Sequence, residues 1–279
     1  MITRLKQFFL NLKFQKKIIG ISVVISLIPL LLLGLFSYTR MRSLLMEREK
    51  TAIQETLHQE ATQLNHKIDS YLSTMDLITW NENIRLALSQ KYDSNSKMYI
   101  TYRDTIDPLF LTIRSLNTDI TAITIYTDVS IYPHGNILRP LTDAKNEVWF
   151  EKACTSTVPF FSLSQDKKTL YLLGQMHYNY VPYTSIICMA INFQSPLLSA
   201  KNLFSDNYGF LLSDASGEIM YQYSNISDKY SIPEISSQDL NHDFSDYIAE
   251  TEKLPGLDWT VALYRPANSI SAAAINITY

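Results

Sequence analysis

The sequence predicts an α+β protein: an N-terminal transmembrane helix continues into a long stalk helix, and two tandem antiparallel sheet units follow. Three observations predict it. An uncharged apolar run stands directly after a basic tail. A heptad-spaced apolar seam then runs through residues that include no proline or glycine. Beyond that seam the periodicity shortens to β-branched and aromatic segments divided by turn residues.

The apolar run is Ile18–Tyr38, twenty-one residues without a charge. As a helix it is about 30 Å long, the thickness of a hydrocarbon core. Residues 1–17 carry Arg4, Lys6, Lys13, Lys16 and Lys17 and no acid. The positive-inside bias therefore predicts a cytoplasmic tail over 1–17, a transmembrane helix over 18–39, and extracytoplasmic residues after about 39, at the cell membrane. Arg40 and Arg42 weaken that asymmetry without reversing it. A cleaved signal peptide would have a shorter apolar core ending at a small-x-small site, and none follows Tyr38. Pro29 is compatible with a membrane helix whose freed backbone groups are satisfied locally.

From Arg40 to about Trp80 strong helix formers dominate. Leu57, Ala61, Leu64, Ile68, Tyr71 and Met75 alternate in steps of four and three, while Glu47, Glu55, Glu60 and Lys67 fall on other faces. The segment 40–80 is thus predicted as one long extracytoplasmic helix. Its seam suits either packing on its own domain or a homodimeric stalk.

Further helices are expected at Asn83–Gln90 and Tyr99–Asn117, with Asp107-Pro108 able to begin one. Ile120–Thr127 is a strand by composition. Thr142–Ala153 reads as a short helix capped by Thr142 or Asp143, with Trp149 and Phe150 on one side. Strands follow at Thr169–His177 and Thr184–Phe193, joined around Asn179–Pro182. Tyr208–Ser213 and Glu218–Tyr223 form a hairpin about Asp214-Ala215-Ser216-Gly217. Tyr247–Glu252 and Leu257–Tyr264 complete a second sheet. Ile125-Tyr126-Thr127-Asp128 and Leu211-Leu212-Ser213-Asp214 each lead a strand into an Asp-led turn, which points to two related units. These are a membrane-distal unit over 81–195 and a membrane-proximal one over 196–266. Residues 267–279 end in the uncharged ISAAAINITY, read as the start of a truncated second transmembrane helix.

Composition narrows the function. The whole chain carries a net −3 and the tail five cations, so the remainder carries −8, which excludes a nucleic-acid face. Tyrosine, at 18 residues, suits sheets and the walls of small-molecule pockets. The five histidines and two cysteines show no zinc spacing, so no metal or cofactor is expected. A Cys154–Cys188 bridge is left open, with Cys188 also suited to a buried core thiol. No nucleophile elbow, His-Glu-x-x-His or phosphate loop is present, so this chain is not expected to be an enzyme. His58 reads as a solvated helix position.

The order of anchor, long helix and two mixed units resembles the double-Cache sensors of bacteria, over about Arg40 to Pro266. ITAITIYTD (Ile120–Asp128), NEVWFEKA (Asn146–Ala153), YGFLLSDASGEIMYQ (Tyr208–Gln222) and LPGLDWTVALYRP (Leu254–Pro266) carry the likeness, which is nearest to sensor histidine kinases of the YesM type. The resemblance implies PAS-like sheets, a small ligand in the distal unit, and signal transduction to an output module beyond this chain. Chemoreceptors and membrane-bound AraC-type regulators share the ectodomain. An anchored surface enzyme or adhesin is the reading from another class.

Amino-acid-binding members place an Arg two residues before the Trp. Here that position is Glu147, so a carboxylate clamp is lacking and an α-amino-acid ligand is disfavoured. Asp166 stands near where the amine-binding acid would be. The candidate ligand-binding residues are Tyr126, Asp128, Trp149, Phe150, Asp166 and Tyr171. Aromatic walls with acids suit a sugar, a peptide or a cation. Each residue alone also suits a structural role, Trp149 as core and Asp128 as a turn cap.

Overall fold

A computed structural model of the chain describes residues 14–176, 183–194, 207–230 and 247–270. The expectations for the basic tail, for His177–Pro182 and for most of the C-terminal apolar segment fall outside them.

Helix α1 spans Phe14–Thr79 without interruption, 66 residues and roughly 100 Å. Pro29 lies inside it, within a stretch long and apolar enough to cross a membrane and not buried within the chain. From Ile53 onward one face is buried. Leu57, Ala61, Leu64, Ile68, Tyr71 and Met75 are all at most 9% exposed, because they pack on the chain's own sheets. Of the two readings of the seam, the packing of the helix on its own domain is the one seen in the chain. Glu60, expected on a solvated face, is buried as well.

Two shorter helices follow. In α2 (Glu82–Ser89) the Asn81 side chain accepts the Ile84 N–H. In α3 (Asn95–Leu116) Ser94 Oγ accepts the Lys97 N–H. Pro108 sits inside α3 rather than at its start. Tyr102, Ile106, Phe110 and Ile113 form one buried stripe whose packing outweighs the hydrogen bond lost at the proline.

The first sheet comprises β1 (Ile120–Thr127), β2 (Leu138–Pro140), β3 (Phe160–Leu163), β4 (Thr169–Gln175) and β5 (Ser185–Asn192), in the order β2-β1-β5-β4-β3. All pairs are antiparallel except β1 with β2. The second sheet holds β6 (Gly209–Ser213), β7 (Ile219–Ser224), β8 (Tyr247–Lys253) and β9 (Thr260–Pro266), in the order β7-β6-β9-β8 and antiparallel throughout. β1 and β6, the strands matched in sequence, occupy corresponding interior places. Strands β2 and β3 have no counterpart in the sequence reading, being three and four residues long. The last strand also begins three residues later than the pattern suggested.

Both sheets lay one face on α1. They meet through the β3–β4 turn, where Lys167 Nζ lies 3.1 Å from Glu218 Oε1 and donates to the Ile219 carbonyl at 2.6 Å. The rings of Phe161 and Trp259 pack between them at 5.5 Å.

Candidate functional site

Alternation along the first sheet sorts its residues onto two faces. Ile123, Ile125, Leu172, Ile187, Met189 and Ile191 turn to the helices. Tyr126, Phe160, Tyr171, Leu173, Ile186 and Cys188 form the opposite, outer face. The register carries this face across the sheet: Tyr126 lies beside Ile186 and Gln175, and Thr124 beside Cys188, Leu173 and Phe160.

The segment between β2 and β3 covers this outer face. It holds a 3-10 turn (Leu141–Ala144) and helix α4 (Phe150–Thr155) in place of the single helix expected over Thr142–Ala153, and neither has a side-chain cap. Gln175 Nε2 donates to the Ala153 carbonyl at 2.9 Å and pins α4 to β4. Lys152 Nζ stands 4.4 Å from the centre of the Phe160 ring, a cation–π contact.

Trp149 is the residue before α4, buried to 4%. Its ring lies 5.8 Å from that of Tyr126 and 6.4 Å from that of Tyr171, tilted by 51° to each. Phe150 packs half-buried on the same cluster. The Trp149 indole N–H is shielded from solvent and has no hydrogen-bond partner. A buried donor without an acceptor costs on the order of 1–3 kcal/mol, a cost that a ligand oxygen would remove.

The structure therefore brings Tyr126, Trp149, Phe150 and Tyr171 together. Asp128 is exposed at the edge of the cluster. Its Oδ1 accepts the Thr184 N–H at 2.8 Å and its own N–H donates to the Thr184 carbonyl at 3.1 Å, closing the end of the β1–β5 ladder. Asp166 lies elsewhere, at the tip of the β3–β4 turn. There it accepts Ser164 Oγ at 2.6 Å and the Lys168 N–H at 3.1 Å, bonds that hold its carboxyl below the usual range.

The electrostatics of the cluster come from burial first. Desolvation raises the Tyr126 and Tyr171 hydroxyls, and the negative charge of Glu147 adds to both. The same two causes push the Cys188 thiol up to about 12. Burial raises Cys154 too, helped by Asp128. Both cysteines are free. They are neutral thiols at physiological pH, without the lowered pKa of a nucleophile.

Three contributors escaped the sequence reading as site residues. Glu147 reaches the cluster by its field. Arg139 is brought beside Tyr126 by the three-residue strand β2, and its charge opposes that of Glu147 there. Gln175, a lone polar residue near the end of an apolar strand, was the most legible of the three.

No model of a known protein family matches the sequence, and no curated protein matches it either. Solved structures do match. The extracellular domain of rpHK1S-Z16, assigned as a histidine kinase, aligns at a TM-score of 0.56 and 8% identity, covering 81% of this chain and 97% of that one. The ligand-binding domain of the Campylobacter jejuni chemoreceptor Tlp3, solved with L-valine, aligns at 0.53 and 14%, covering 82% and 97%. The sensor domain of the V. cholerae histidine kinase DctB aligns at 0.50 and 13%, covering 81% and 98%. With a long apolar N-terminal helix followed by two antiparallel sheet units, this chain has the fold of Cache-type sensor domains.

Proposed function

We propose that this chain is the extracytoplasmic sensing and signal-transducing region of a membrane receptor, a double-Cache ectodomain of a sensor histidine kinase of the YesM type. The kinase core would lie outside the chain. The tail before Ile18 is cytoplasmic in this reading, and the sheets stand outside the cell with the first sheet distal. The ligand is a sugar, a peptide or a cation, held on the outer face of the first sheet by Tyr126, Trp149, Phe150 and Tyr171, with Asp128 and Glu147 at the margin. Asp166 contributes only if the ligand reaches the β3–β4 turn.

One observation carries this reading: three aromatic rings enclose a buried indole N–H that has no acceptor. A π-face beside an unused donor suits a neutral oxygen-bearing or cationic ligand. Ligand capture would shift a two-state packing of the sheets on α1, and α1 runs unbroken toward the membrane segment. Homodimerisation would use the part of α1 before Ile53, since the seam beyond it is occupied. A chemoreceptor output is supported by the same fold, and the output module of the receptor would separate the two.

The test is a thermal-shift screen of the full chain in nanodiscs against sugars, short peptides and amines, followed by titration of the hit. Trp149→Phe keeps the ring and loses the donor, so affinity should fall about tenfold, the worth of one buried hydrogen bond. Wild-type affinity in both Trp149→Phe and Trp149→Ala would remove Trp149 from the pocket.

A further inference from the structure

A second concave site lies on the opposite side of the first sheet, away from the aromatic cluster. It is a cleft of about 670 Å³ between α3 and the edge of β1, of a size ordinary for small-ligand sites. Its walls are Asp107, Leu111 and Arg114 on α3, Thr121 and Ile123 on β1, and Asn136 at one end.

The β1 wall is an unfinished sheet edge. The Asp128 N–H bonds to Thr184, so hydrogen-bonded pairs toward β5 alternate through Tyr126, Thr124 and Ala122. Ile125 and Ile123 therefore aim their peptide groups the other way. Ile125 finds β2, where its N–H donates to Ile137 at 2.8 Å. The pairing with β2 starts at Ile125, so the N–H and C=O of Ile123 face the cleft with no strand opposite among the described residues. Such an edge is a template for an added strand.

The α3 wall supplies two opposite charges. Asp107 is bonded to His134 Nε2 at 2.8 Å but remains about a third exposed, with acceptor capacity to spare. Arg114 is exposed. They are seven residues apart on one helix, roughly 10 Å along its axis. An extended tripeptide spans about the same distance from ammonium to carboxylate. Between them Leu111 is 68% exposed, an apolar contact for a central side chain.

We propose that this cleft binds a short zwitterionic peptide, three or four residues in extended form, as an extra strand on β1. Its carboxylate meets Arg114, its ammonium meets Asp107, and its central peptide group pairs with Ile123. The peptide then runs antiparallel to β1, because Arg114 lies beside the start of that strand and Asp107 toward Asn136.

The experiment is isothermal titration of the full chain in nanodiscs with Ala-Val-Ala. Saturable binding is expected. C-terminal amidation and Arg114→Gln should each weaken it about tenfold, and together by no more than either alone, because both remove one charge-assisted contact. N-methylation of the central residue should abolish it, whereas Trp149→Phe should leave it unchanged. Arg114 is exposed, so its substitution tests binding without endangering the fold. The proposal fails if Ala-Val-Ala does not saturate, or if the peptide capped at both ends binds equally well. It also fails if Trp149→Phe abolishes binding while Arg114→Gln does not, which would put the peptide in the aromatic cluster. A dimer that Arg114→Gln dissociates, with no peptide binding, would give the cleft to a second copy instead.

Discussion

The two sheets rest on one helix, yet they fill their outer faces and hold that helix by different means. In the first sheet the outer aromatic face is covered by a separate segment carrying Trp149, and an indole N–H is left without an acceptor. In the second the corresponding face is packed, among the described residues, around one tyrosine. Tyr264 on β9 is fully buried with Leu211 and Ala262, and its ring lies over Gly209 on the neighbouring strand. The attachments to α1 differ as well. Ile68, Tyr71, Met75 and Ile78 hold the first sheet, joined by one polar node in which Lys67 and Tyr71 both bond Asp119. The second adds polar links: Glu49 with Arg265 and Tyr208, Lys50 with Glu250, and His58 with Glu252. The contrast teaches that a shared platform need not share a site. The same helix thus carries one sheet whose outer face is covered by a separate segment and one whose outer face is packed around Tyr264.

The packing around Tyr264 is the place to break the comparison first. A Cβ at Gly209 would lie 2.0 Å from the Tyr264 ring, so the ring cannot stay where it is. Gly209→Ala is expected to cost about 3 kcal/mol or more, read as a large drop in the unfolding midpoint of the full chain. Gly209→Ala combined with Tyr264→Leu should recover part of the loss, because the clash disappears. The same change at Gly174, on the side of the first sheet that faces α1, meets the flexible Met75 side chain at 3.1 Å and Thr79 Cγ2 at 3.6 Å. Gly174→Ala should cost less than about 1 kcal/mol. Equal losses at the two glycines would show that the packing around Tyr264 is no tighter than the contact of β4 with α1.

The attachments come next. Glu49 accepts from both the Tyr208 hydroxyl and the Arg265 guanidinium, which itself stacks 4.8 Å from the Tyr208 ring and donates to Ser269 Oγ at 3.1 Å. The side chains of Arg265 and Glu49 are 14% and 19% exposed. Glu49→Gln leaves a largely buried guanidinium without its counter-charge, and a loss of about 2 kcal/mol is expected in denaturant titration. Lys67→Met at the first sheet removes an ammonium that is 44% exposed and should cost under about 1 kcal/mol. If the two losses match, the charges near the start of the buried part of α1 are no more important than the one at the first sheet.

Much of this architecture is legible in the sequence because apolar periodicity reports burial directly. The seam from Leu57 to Met75 and the strand Ile120–Thr127 both stand where the pattern placed them. What escaped depends on partners distant in sequence. β2 is three residues paired to β1, and its contribution of Arg139 beside Tyr126 exists only through that pairing. Pro108 read as a helix start, but the buried stripe from Tyr102 to Ile113 carries α3 through it. Among the candidate site residues the four aromatics converge, since alternation and one covering segment suffice to gather them. Asp166 does not join them. In a tight turn Asp166 satisfies its carboxylate with Ser164 and Lys168, two residues to either side, and spacing in a sequence cannot show that.

Glu60 belongs to neither style of attachment, and it sharpens the comparison with the smallest effect. It stands on α1 between His58, which pairs with the second sheet, and Lys67, which pairs with the first. It is 6% exposed, and its Oε1 is buried without a hydrogen-bond partner. Burial alone raises its carboxyl above the ordinary value. In the unfolded chain the group titrates at about 4.3. Below that pH both states hold the proton and Glu60 carries no penalty. As pH rises toward and through the higher folded value, the unfolded state has already ionised while the folded state resists, so stability falls. Glu60→Gln should remove that part of the pH dependence. The variant is expected to match the wild type near pH 4 and to exceed it by about 1 kcal/mol at pH 8, in denaturant midpoints measured across that range. Superimposable profiles for the two proteins would mean that the carboxylate finds solvent or a counter-charge at this joint, and that the helix tolerates an ion where the two sheets meet.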